Sequence, residues 1–224
     1  VNLADLPGPR WPPPPKPLPV PSQLTRVDIR FEDLAPLAGL HFQYKNGSDP
    51  DHAGHSRMYE MTGGGAAVID LDQDGWPDLL LTQGGVFLER DTQADHVDRL
   101  FRNIGNGQFQ DVTVQAGLDS RGFGQGATVG DFNSDGFPDI VIANIGQNRL
   151  LVNNGDGTFS DVTLSASIPG NRWTTSCLLV DLNNDGLPDF YAANYLSGDD
   201  LYTRECRQTD AGDQPNSNTV LSLR

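Results

Sequence analysis

Short apolar runs separated by turns rich in Gly, Asp and Asn make up most of the chain after its first sixty residues. Residues 66–69 and 79–82 flank one acidic turn, and residues 128–130 and 140–143 flank another. These runs hold Val, Ile and Leu and are too short for helices, so they predict strands. The turns Asn103-Ile104-Gly105-Asn106-Gly107 and Asn153-Asn154-Gly155-Asp156-Gly157 each follow apolar residues and precede a Phe, which predicts hairpins. No segment carries a convincing 3.6-residue apolar period. The fold class is therefore expected to be all-β.

The pattern also repeats. Three segments align: GGGAAVIDLDQDGWPDLLLTQGG from Gly63, GQGATVGDFNSDGFPDIVIANIG from Gly124, and TTSCLLVDLNNDGLPDFYAANYL from Thr174. A second element, Phe-x-Asp-Val, recurs at Phe109 and Phe159, with a weaker copy at Phe31-Glu32-Asp33-Leu34. Phe109 to Asp131 and Phe159 to Asp181 are both 22 residues, whereas Phe31 to Asp70 is 39, which places a 17-residue insertion around residues 41–58. A second insertion, of 11 residues, falls around residues 89–99. Units of about four strands at this period predict β-propeller blades. About three are present, and propellers close with roughly 4–8, so the chain reads as an incomplete part of a larger propeller. The missing blades are expected from a longer chain or a partner chain, since open strand edges are an aggregation hazard.

Each unit holds the acidic pattern Asp-x-(Asp/Asn)-x-Asp-Gly-x-Pro-Asp: Asp70, Asp72, Asp74, Asp78; Asp131, Asn133, Asp135, Asp139; Asp181, Asn183, Asp185, Asp189. Oxygen-bearing side chains at alternate positions of a tightly curling loop converge on one point, and the Gly at position 6 permits the turn. Such a point suits a hard cation. Position 7, filled by Trp76, Phe137 and Leu187, varies in chemistry as a backbone-carbonyl ligand would, and the Asp at position 9 would close the shell. With neither Cys nor His in the pattern Ca²⁺ is favoured over Zn²⁺, and a flexible cage of six or more oxygens favours it over Mg²⁺. About three Ca²⁺ are expected. An EF-hand needs a Glu at position 12 between helices, where this chain has Leu81, Ile142 and Ala192. The first loop, with four carboxylates against three and an Asn, is expected to bind tightest.

These residues resemble the FG-GAP (VCBS-type) repeats of calcium-binding β-propellers, as in integrin α-subunit heads. The second unit carries Gly122-Phe123-Gly124-Gln125-Gly126-Ala127 ahead of its acidic loop. Together with Phe-x-Asp-Val-Thr, Ala116-Gly117-Leu118, Met61-Thr62-Gly63-Gly64-Gly65 and Asn-x-Gly-x-Gly-x-Phe, this looks most like the branch containing cartilage acidic protein and its bacterial relatives. The resemblance covers about residues 31–200. It implies a secreted or cell-surface location and a role in adhesion or protein binding, and it assigns no enzymatic activity. Two departures stand out. The third unit has Trp173-Thr174-Thr175-Ser176-Cys177 in place of the Gly-rich lead-in, and the first carries the two insertions.

Composition narrows the partners. Thirty acidic against fifteen basic residues leave a net charge of −15, which would repel a phosphate backbone and excludes nucleic acid. No apolar run is long enough to span a bilayer. Nine of the sixteen prolines lie in residues 1–21, so residues 1–26 read as an extended, Pro-rich linker and residues 27–224 as the partial propeller. His52 and His55 read as part of a solvated loop, Asn46-Gly47-Ser48 is a glycosylation sequon, and Cys177 is either a small buried thiol or a disulfide partner of Cys206. No catalytic residue is assigned, because nucleophile, zinc-protease and phosphate-loop signatures are missing. The expected function is that of an extracellular, cell-surface or periplasmic segment binding another protein or a cell-surface glycan, with Ca²⁺ structural. The alternatives are an accessory subunit of a larger surface or membrane-associated assembly, and a propeller-based hydrolase or lyase.

Overall fold

A computed structural model of the chain describes residues 30–48, 55–85, 97–118, 120–197 and 205–207. The proposed linker, His52 and most of the second insertion lie outside these residues. Contacts divide the chain between Asp33 and Leu34, and every element described belongs to the second unit.

The first blade is a four-stranded antiparallel sheet of β2 (Ala66–Ile69), β3 (Asp78–Leu81), β4 (Arg99–Asn103) and β5 (Phe109–Asp111), paired in chain order. The second repeats it with β6 (Phe123–Gly130), β7 (Asp139–Gly146), β8 (Arg149–Asn153) and β9 (Phe159–Asp161). The third begins with β10 (Arg172–Val180) and β11 (Asp189–Ser197). Two β10 residues, Arg172 and Trp173, also pair with the end of β7, joining the second and third units in one sheet. A two-stranded sheet of β1 (His55–Arg57) and β12 (Glu205–Arg207) links the first insertion to the far end of the described chain. A single 3₁₀ turn, Met58–Met61, is the only helix among the described residues. None is long and apolar enough to cross a membrane. The chain is thus all-β, with four-stranded antiparallel repeats as in propeller blades.

β7 explains how the units stack. It is buried from Asp139 to Ile145, as a strand covered on both faces must be. Ile140 and Ile142 join the cluster holding Ile69, Leu80 and Leu100 of the first blade, while Val141 packs with Leu179 of β10. Apolar alternation therefore gives each neighbour one face of the strand. β11 contrasts with it: Tyr191 and Tyr195 are both more than half exposed.

The inner strands approach so closely that side chains are excluded. A Cβ on Gly65 would sit 2.5 Å from Gly126 Cα, and one on Gly126 would sit 2.9 Å from the Thr175 carbonyl oxygen. Ser176, at the same repeat position, is exposed. The glycine-rich lead-in is thus a packing requirement wherever another inner strand lies across it, and β10 forms without it. This is also why β6 starts at Phe123 rather than at 128: glycines read as breakers along the chain, and the close approach recruits them into the strand.

Phe-x-Asp-Val-Thr acts as a corner piece. Asp111 accepts from both the amide and the hydroxyl of Thr113 (3.0 and 2.6 Å), and the Thr113 hydroxyl accepts the amide of Leu100 (3.0 Å). Asp161 and Thr163 repeat this toward Leu150. The same aspartates pair with Arg99 and Arg149 at the starts of β4 and β8. Beyond each corner, Ala116 and Ala166 donate amides back to Val112 and Val162. Phe31-Glu32-Asp33-Leu34 departs from expectation, forming no strand and leaving Phe31 96% exposed. Its turn survives, with Ala38 bonded back to Leu34, and the Ala38 carbonyl accepts the amide of Phe109 as Ala116 accepts that of Phe159.

Cys177 is a free thiol, packed beside Val141 and Leu179, and burial pushes its pKa up to about 11. The sequon residue Asn46 donates its side-chain amide to the Glu60 carbonyl at 2.7 Å. His55 begins β1.

Candidate metal centre

All three acidic loops are connections within β-hairpins. Ile69 pairs with Asp78, Gly130 with Asp139 and Val180 with Asp189, so residues 70–77, 131–138 and 181–188 are the intervening turns. The backbone follows one path in each. Position 4 has a left-handed φ (Gln73 57°, Ser134 58°, Asn184 63°), as does the glycine at position 6 (84°, 92° and 86°). The position-6 amide donates to the first Asp in each loop: Gly75 to Asp70 at 3.0 Å, Gly136 to Asp131 at 2.9 Å and Gly186 to Asp181 at 2.8 Å. The position-7 amides of Trp76, Phe137 and Leu187 donate to Asp74, Asp135 and Asp185. These bonds hold the carboxylates inward. Gln73 also bridges the first two loops by donating its side-chain amide to the Gly136 carbonyl at 2.6 Å.

The Asp at position 9 is a structural carboxylate as well as a candidate ligand. Asp78 is buried and accepts the amides of Leu71 (2.8 Å) and Asn103 (2.7 Å). Asp139 accepts those of Phe132 and Asn153 (2.7 and 2.8 Å), and Asp189 accepts that of Leu182 (2.9 Å). Burial raises the pKa of Asp78 and Asp139, the neighbouring loop carboxylates add to the rise, and the donated amides oppose it.

In the first loop, ligand-capable oxygens of Asp70, Asp72 and Asp78 lie within 4.8 Å of one another, a group able to hold a metal ion. Asp70 Oδ1 and Asp72 Oδ1 are buried without a hydrogen-bond partner. Unpaired buried carboxylate oxygens are costly, and a hard cation would satisfy both at once. Asp74 is outside this group and binds Arg102 instead. No second group of three carboxylates comes together this closely among the described residues. In the other two loops position 3 is Asn, whose amide reaches the position-5 carboxylate: Asn133 to Asp135 at 2.8 Å and Asn183 to Asp185 at 3.0 Å. The backbone cage thus recurs three times and the carboxylate cluster once. Trp76 and Leu187 point their side chains largely into solvent, which leaves their backbones as the candidate ligands.

A family model of FG-GAP-like repeats matches residues 70–142 and 131–192, together more than half of the chain. The chain belongs to the FG-GAP-like repeat family. No curated protein matches it. Both matched stretches of this FG-GAP chain open on position 1 of an acidic loop, Asp70 and Asp131, and the second runs through the third loop.

Three functional residues of the FG-GAP units escape the acidic pattern. Asn103 and Asn153 each give a backbone amide to the position-9 Asp and accept the amide of the following Gly, at 3.0 and 2.9 Å, which starts the hairpin turn. Arg102 contacts Asp72 and Asp74. The signal for the asparagines lies in the alignment of Arg99-Leu100-Phe101-Arg102-Asn103 with Arg149-Leu150-Leu151-Val152-Asn153, which sets Val152 against Arg102 and so gives none for the arginine.

Proposed function

We propose that this FG-GAP chain is a calcium-binding propeller segment that serves adhesion or protein–protein contact outside the cytoplasm, with the ions structural. The observation that carries this is the first loop, where two buried, unpartnered carboxylate oxygens belong to a three-carboxylate group on a backbone cage that recurs twice more. Asp70, Asp72, Asp74 and Asp78, with the Trp76 carbonyl, would hold the first ion. Asp131, Asn133, Asp135, Phe137 and Asp139, and Asp181, Asn183, Asp185, Leu187 and Asp189, would hold two more. Each ion would offset repulsion among the carboxylates and brace a hairpin connection. Extracellular calcium is millimolar, enough to load even sites of ~10⁻⁴ M.

In this reading the loop carboxylates are ligands rather than acid–base groups, and the variable insertions offer contact surface for a protein or glycan partner. Kinship with the cartilage acidic protein branch rests on the motifs of the corner, the hairpin and the lead-in. The exposed Tyr191 and Tyr195 on β11 support further blades, from a longer chain or a partner.

Thermal unfolding with and without calcium tests the proposal. A site filled at a hundred times its Kd adds about 2.7 kcal/mol, so millimolar Ca²⁺ should raise Tm by several degrees and chelation should reverse it. Native mass spectrometry should then show about three bound ions. An unchanged Tm with no bound metal would overturn the reading.

A further inference from the structure

The first loop holds one carboxylate more than the others and also the only cation that touches an acidic loop among the described side-chain contacts. Arg102, on β4, places Nη2 2.5 Å from Asp72 Oδ2 and 3.1 Å from Asp74 Oδ2. In the second and third loops the tie between positions 3 and 5 is made by the amide of Asn133 or Asn183. β8 has Val152 at the place of Arg102. Extra negative and extra positive charge therefore arrive together. Asp72 with Arg102 carries the same net charge as Asn133 with Val152.

We propose that Arg102 is a built-in counter-ion that competes with the cation at the first loop, so that this loop loads last although it has the most carboxylates. The inference rests on the cation reading above and reverses the ranking expected from carboxylate count. A divalent ion drawn to Asp70, Asp72 and Asp78 must displace the guanidinium from Asp72 or share that carboxylate with a like charge, and at this separation the repulsion is substantial. Loading the other loops displaces only a neutral amide. Room for the displaced side chain exists beside it: Arg102 and Asp72 line a cleft of about 210 Å³ that also includes Gln115, Asp156 and Thr158. Asp156 is held below the usual carboxylate range by the hydroxyl and amide of Thr158, so it is ionised and able to receive the arginine. The first loop would then respond to changes in cation level while the other two stay filled.

The loop carries its own reporter. Trp76 occupies position 7, where the other loops have Phe137 and Leu187, and Trp173 is buried in a separate apolar cluster. With the third tryptophan removed as Trp11→Phe in every protein compared, Tb³⁺ luminescence excited through tryptophan reads the first loop, and Ca²⁺ competition gives its affinity. Arg102→Val installs the residue β8 already tolerates, Arg102→Gln keeps a polar side chain, and circular dichroism checks that both fold. Both variants should tighten first-loop binding tenfold or more. Asp72→Asn in the Arg102→Val background should return it to within about threefold of wild type. Affinity that is unchanged or weaker in both folded single variants would overturn the proposal. Failure of every protein to bind Tb³⁺ or to release heat on Ca²⁺ addition would instead overturn the cation reading, and this inference with it.

Discussion

The first and second blades place the same backbone in different polar surroundings. Gln83 and Asn144 stand at the same repeat position, and so do Asp98 and Asn148. Asp98 Oδ1 accepts the Gln83 amide at 2.6 Å and Asn148 Oδ1 accepts the Asn144 amide at 2.9 Å. Asn148 then donates its own amide to the Pro169 carbonyl (3.0 Å) and the Thr174 hydroxyl (3.1 Å), whereas Asp98 Oδ2 has no partner. The buried corner is thus satisfied by an amide in one blade and left with one unbonded carboxylate oxygen in the other. Burial pushes the Asp98 pKa up to about 6, and the nearby Ser120 hydroxyl, the donated Gln83 amide and the charge of Arg149 only partly oppose it. The lesson is that the repeat fixes where an acceptor must sit, while its charge is free to change at a cost in stability.

Exchanging those residues breaks the comparison most strongly. Asn148→Asp removes two donated bonds and sets a carboxylate against the Pro169 carbonyl. It should cost about 3–5 kcal/mol in urea unfolding at pH 7.

Asp98→Asn should act in the opposite sense. A raised folded pKa means that the protonated form is the one the fold prefers. Stability from this group is therefore complete below about pH 4 and is lost as pH rises through about 6. A shift of two units corresponds to roughly 3 kcal/mol, so Asp98→Asn should gain about 2–3 kcal/mol at pH 7–8, with the gap to wild type closing by pH 4. A pH-independent difference between the two proteins would show that Asp98 does not titrate in this range.

Two further changes sharpen the comparison. Asn153 donates across the blade boundary to the Leu71 carbonyl at 2.9 Å, while Asn103 donates within its own blade to Pro77 at 3.1 Å. Asn153→Ala should therefore cost about 2–3 kcal/mol and Asn103→Ala about 1–2. Gly126→Ala should cost about 1–3 kcal/mol because its Cβ would strike the Thr175 carbonyl. Ser176→Ala, at the exposed equivalent position, should stay within about 0.5 kcal/mol.

The local features of the fold were legible along the chain. Ala66–Ile69 is the strand its apolar run announces, and the Asn-x-Gly turns are the hairpins they resemble. The acidic loops have matching φ values at positions 4 and 6 because the same residue types recur at the same spacing. What escaped the reading depends on neighbours distant in sequence. The weaker copy at Phe31 keeps the Phe and the Asp but has Ala35 where the others have the corner Thr; it forms no strand, and its phenyl ring stays in solvent. β1 pairs with β12 across some 150 residues, and neither carries an apolar pattern strong enough to name the other.

The sequence by itself determined the repeat, which is read by aligning the chain with itself, and the hairpin connections and oxygen-rich character of the three loops, which depend on residues within ten positions of one another. Tertiary structure alone decided which carboxylates converge, which glycines are obligatory and which charges are compensated. Asp70, Asp72 and Asp78 gather because β3 carries Asp78 back beneath the turn, and Gly65 and Gly126 are needed because another inner strand crosses each. Arg102 meets Asp72 only because β4 lies beside β3. Electrostatic and steric terms act through space at a few ångströms, and the fold, not proximity in sequence, sets those distances.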